Sequence, residues 1–104
     1  MAEVSVRLKV IWSPSAVGHF SAWLRYIARD SKKAAELERK NILAALEKLK
    51  RFPNSGRPFP EFNNPTLREI LKGSIRILYR QQGREFRILT FHHASRPLDL
   101  ELFE

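Results

Sequence analysis

The chain of 104 residues has no cysteine. That absence excludes disulfides, thiolate metal ligands and a cysteine nucleophile, and it suits a reducing compartment. Glycine is scarce at four residues, and Gly56 has no companions that would make it part of a phosphate-cradling loop. No apolar run approaches the roughly 18–20 residues that a membrane helix needs. The first strand-like stretch, Met1 to Trp12, is interrupted by Glu3, Arg7 and Lys9, so it holds no signal-peptide core. These absences lead to the expectation of a cytoplasmic chain without membrane contact. Acidic residues are also few, 11 against 19 Lys and Arg, which leaves a formal charge of +8. The excess gathers in Lys32–Arg57 and Arg68–Arg96, whereas Asp99–Glu104 is acidic. A basic surface attracts polyanions such as nucleic acid or an acidic protein, or else keeps the chain in solution.

No internal repeat or linker divides the sequence, so one domain is expected over residues 1–104. Val4, Val6, Leu8 and Val10 alternate with polar residues, the period of a half-buried strand. Ser13-Pro14 supplies an N-cap and a first helical position, and Val17, Phe20, Trp23, Leu24 and Ile27 form one apolar stripe. After Asp30-Ser31 a second helix is expected over Lys32–Arg51, burying Ala35, Ile42, Leu46 and Leu49. The segment 52–65 holds four prolines and reads as a loop. Three strands should follow: Leu67–Leu71, then Ile75, Ile77 and Tyr79 alternating with Arg76, Leu78 and Arg80, then Phe86–His92. Short turns at Lys72-Gly73-Ser74 and Gln82-Gly83 make them an antiparallel meander. The fold class is therefore α+β, β-α-α-β-β-β, with a helical hairpin on a mainly antiparallel sheet.

In this order the segments Ile11-Trp12-Ser13-Pro14, Tyr26–Ser31, Leu46-Glu47-Lys48-Leu49, Phe52–Pro58, Leu67-Arg68-Glu69, Ile75–Arg80 and Ile88–Arg96 resemble the RelE/ParE toxin superfamily of bacterial type II toxin–antitoxin systems. The resemblance spans nearly the whole chain. It implies a toxin neutralised by a cognate acidic antitoxin and oligomeric with it. It also implies one of two targets: messenger RNA in the ribosome, cut without a metal by RelE-like members, or DNA gyrase, inhibited by ParE-like members. A toxin-fold protein without toxicity, binding its antitoxin as a co-repressor, is a third possibility.

Metal-free RNA cleavage needs a base for the 2′-hydroxyl, cations around the phosphate and an acid for the leaving oxygen. Arg76 matches the arginine that begins the family's Arg-hydrophobic-hydrophobic-Tyr strand and touches the scissile phosphate in the ribonucleases. The alternative is a salt bridge within the sheet or a contact to antitoxin carboxylates. His93, with His92 behind it, lies near the position of a catalytic histidine in some family ribonucleases. Arg57 either reaches a polyanion or braces its loop, and Glu61 is either a base or a solvated carboxylate. His19 is expected on the polar side of the first helix, and Tyr79 in the core. Arg68, Lys72, Arg76, Arg80 and Arg96 are the candidate contacts to target or antitoxin. No cofactor and no metal site is expected. Arg68 and Glu69 stand where the RelE-like ribonucleases carry paired lysines, and no tyrosine occurs near the C-terminal end. These departures resemble the ParE-like branch more closely.

Overall fold

The computed structural model describes residues 9–58 and 66–94. The elements run β1 (Lys9–Trp12), α1 (Pro14–Ala28), α2 (Lys32–Arg51), β2 (Arg57–Pro58), β3 (Leu67–Lys72), β4 (Ile75–Gln82) and β5 (Glu85–His93). The strands form one sheet in the order β1-β5-β4-β3-β2. β1 runs parallel to β5, and every other neighbouring pair is antiparallel. The two helices pack on this sheet, an α+β arrangement that agrees with the expected one. Val4, Val6 and Leu8 lie outside the described residues, as do Glu61 and Arg96.

Two serines start the helices. Ser13 Oγ accepts a hydrogen bond from Ala16 N at 2.9 Å, and Ser31 Oγ accepts one from Ala34 N at 3.0 Å. α2 has the expected limits, and its buried residues are Ala35, Ile42, Leu46 and Leu49. In α1 the expected stripe holds at Phe20, Trp23, Leu24 and Ile27, which are partly buried, but it begins at Ala16 rather than Val17. Ala16 is fully buried, whereas Val17 is 50% exposed, because a small residue is needed where the first helical turn meets the sheet. Phe20 and Trp23 pack against the core cluster formed by Ile42, Leu46, Leu49, Ile77, Tyr79, Phe86, Ile88 and Phe91.

Three further details depart from the sequence reading. The loop after α2 contains the short strand β2, paired with β3 through Arg57↔Glu69 and Pro58↔Arg68. Proline is tolerated there because β2 is an edge strand. β4 does not alternate between buried and exposed positions, since Ile75, Arg76, Ile77, Leu78 and Tyr79 are all buried. Its second face buries Arg76 because the guanidinium has a carboxylate partner within the sheet. Finally, β5 carries a bulge: Tyr79 pairs with Ile88 and Leu78 with Thr90, so Leu89 is an extra residue. The bulge brings both Ile88 and Phe91 into the core despite their odd separation. It also sets His92 opposite Arg76. The turns at Gly73 and Gly83 have φ of 61° and 59°, a region that favours glycine.

Candidate functional site

The cross-strand registers assign the candidate side chains to two faces of the sheet. On the face turned away from the core cluster, Glu69 of β3 is completely buried. Its Oε2 accepts a hydrogen bond from Arg57 Nε at 2.7 Å, and its Oε1 accepts one from Arg76 Nε at 2.6 Å. β2 supplies Arg57 directly opposite Glu69, while β4 supplies Arg76 next to it. The Arg76 side chain is 11% exposed and the Arg57 side chain 60%. Two charge-assisted hydrogen bonds, one per oxygen, are what make a buried carboxylate tolerable. The Glu69 signal was available in the sequence: Leu67, Glu69 and Leu71 share one side of a strand, and a carboxylate there needs cationic neighbours.

Gly56, one residue before Arg57, is held from both of its backbone groups. Its N–H donates to Tyr79 Oη at 2.9 Å, its carbonyl accepts from Arg68 Nη1 at 2.7 Å, and the Tyr79 hydroxyl donates to Pro53 O at 2.9 Å. A Cβ at position 56 would meet the Tyr79 hydroxyl and approach Glu69 O to 2.8 Å, so only glycine fits. Burial raises the Tyr79 pKa above its ordinary value, opposed by the backbone N–H of Gly56 and the positive charge of Arg68. Arg68 and Tyr79 thus fix the loop, and the loop delivers Arg57 to Glu69.

The remaining candidates spread out. Arg80 shares the face of Arg76, and its Nε is buried without a hydrogen-bond partner among the described residues. Arg68 pairs across strands with Tyr79 and Lys72 with Ile75, which puts both on the helix side of the sheet. His93 is on that side too, opposite Ile75, with its ring 5.4 Å from Trp23. His19 is exposed, as expected, and its Nδ1 shares a hydrogen bond of 2.6 Å with Thr90 Oγ1 that ties it to the sheet. A cleft of about 480 Å³ opens there between α1 and the β4–β5 end, lined by His19, Trp23, Tyr26 and His93 among others. Trp23 and Tyr26 stack with centroids 5.7 Å apart. Arg57 and Arg76 are therefore brought together through Glu69, and His93 stands on the other face. It is His92 that faces Arg76 across the strands. No cluster of three His, Asp or Glu side chains suited to a metal ion occurs among the described residues.

Residues 10–98 match the model of the family described as the ParE toxin of the type II toxin–antitoxin system, parDE. The chain belongs to the ParE toxin family. The family implies a cognate antitoxin. Among solved structures, the chain is similar to the chromosomal ParDE toxin–antitoxin system from P. aeruginosa, with a TM-score of 0.70 at 19% identity, covering 86% of this chain and 99% of that one. It is also similar to a YoeB/ParE toxin from Agrobacterium tumefaciens, with a TM-score of 0.57 at 17% identity, covering 83% and 98%. At these identities the likeness is one of fold. No curated protein matches the chain. The quoted family-like segments converge in one network: Gly56-Arg57-Pro58, Leu67-Arg68-Glu69 and Arg76–Tyr79 supply both the Glu69 ion pairs and the Gly56 clamp. No helix among the described residues is long and apolar enough to cross a membrane.

Proposed function

We propose that the chain arrests growth in the manner of ParE-like toxins, by binding and inhibiting DNA gyrase, and that an acidic antitoxin neutralises it. The observation that carries this reading is the state of the three groups a metal-free ribonuclease would need. Arg57 and Arg76 each commit their Nε to Glu69, and His93 packs against Trp23 on the opposite face. Cleavage would require these groups to surround a single phosphate. A basic surface acting by contact alone needs no such convergence. The exposed end of Arg57 remains available for binding.

One observation favours the ribonuclease reading: His92 lies opposite Arg76 in the β4–β5 register, and it lines the cleft together with His93. Expression without the antitoxin, followed by primer extension on ribosome-bound messenger, separates the two. Growth arrest without new message ends is the expected result. Ribosome-dependent cuts that vanish in His92→Ala would establish the nuclease instead.

A further inference from the structure

Arg57 combines two properties that seldom coincide. Its side chain is 60% exposed, yet its Nε is fixed 2.7 Å from a carboxylate that is wholly buried. Exposed arginines ordinarily lose rotamer freedom when they bind an anion. Here that ordering is done in folding, and Nη1 and Nη2 make no hydrogen bond among the described residues. The other oxygen of Glu69 is occupied by Arg76, so Arg57 shares its carboxylate with a second cation. Leu71, two residues beyond Glu69 on the same face of β3, is 55% exposed. The register makes it a diagonal neighbour of Arg57, within reach of a common ligand.

We propose that Glu69 is a positioning residue that holds Arg57 as a two-pronged receptor for a carboxylate on an acidic segment of the antitoxin, with Leu71 receiving an apolar side chain of that segment. The proposal rests on the toxin–antitoxin reading. A planar guanidinium with both Nη groups open accepts a carboxylate bidentately. An extended segment presents alternate side chains at a two-residue period, which suits a cation and an aliphatic group set diagonally on one sheet face. A nucleic-acid backbone would satisfy Arg57 but leave Leu71 uncovered.

The test uses the full chain and two probes, a short peptide alternating glutamate with leucine and an RNA oligomer of equal charge. Arg57→Lys keeps the charge and removes the fork, and should weaken peptide binding roughly 10-fold or more. Leu71→Ser should weaken it as well. Glu69→Gln should do the same and should abolish a slowly exchanging Arg57 Nε–H signal in nitrogen-edited NMR. If Glu69→Gln does not fold, the wild-type signal still decides: exchange as fast as that of Arg87 would overturn the positioning role. Peptide binding unchanged in Arg57→Lys would overturn the receptor, as would RNA binding that depends on Arg57 when the peptide does not bind. A chain that takes the peptide through Arg57 but never arrests growth would remove the toxin reading and leave the receptor standing. A toxic chain indifferent to Arg57 would do the reverse.

Discussion

Glu69 governs the chemistry of its face because it is charged, fully buried and bonded to two arginines. Removing the buried partner should be costly. Arg76→Ala leaves the carboxylate with only Arg57 among the ion pairs described above, and should lower stability by about 3–5 kcal/mol, read from urea unfolding. An unchanged midpoint would mean that the pair contributes no net stability. Tyr79 offers a second test at this scale. Its folded pKa is raised, so its neutral form is favoured in the folded state. The corresponding stability is complete below about pH 10 and is lost as pH rises through the raised folded value. Tyr79→Phe should remove that component of alkaline destabilisation. At neutral pH it should also cost about 1–3 kcal/mol by leaving Gly56 N–H and Pro53 O unpaired. Equal alkaline slopes for the two proteins would contradict this account.

At the scale of elements, Ser13 does more than cap a helix. It accepts from Ala16 N, donates to Leu89 O at 2.7 Å, and its own N–H donates to Ile88 O at 3.0 Å, so it ties α1 to the bulge in β5. The Ser31 side chain makes only the capping bond among the described residues, and its backbone bonds stay with the helices, to Ile27 O and from Ala35 N. Ser31→Ala should therefore cost about 1 kcal/mol, and Ser13→Ala more, towards about 2 kcal/mol; thermal melts that rank them in the opposite order would refute this. The helices were legible in the sequence because their caps and three- and four-residue periods are local signals, and the limits of α2 were readable to the residue. The bulge was not. One extra residue in β5 leaves no mark in a stretch such as Ile88-Leu89-Thr90-Phe91, yet it decides that His92 rather than His93 meets Arg76. The burial of Arg76 was hidden for a related reason: its partner Glu69 lies in β3, and only the register reveals that the two share a face.

For the whole molecule, the sheet separates two surfaces. One carries Arg57, Glu69, Arg76 and Arg80, and the other holds the helices and the cleft, which His92 and His93 both line together with Trp23 and Tyr26. The family could be read from the order of short segments, whereas the target could not, because an arginine suits ion pairing, antitoxin contact and phosphate contact alike. A protein that acts by contact should lose activity gradually as surface charge is removed, with each exposed arginine modulating association in a salt-dependent way. A ribonuclease should fail abruptly at one or two groups. The most direct test is DNA supercoiling by purified gyrase as the chain is added. The account predicts progressive loss of supercoiling, reversed by antitoxin and weakened by added salt. Undiminished supercoiling, from a preparation that still arrests growth, would contradict it.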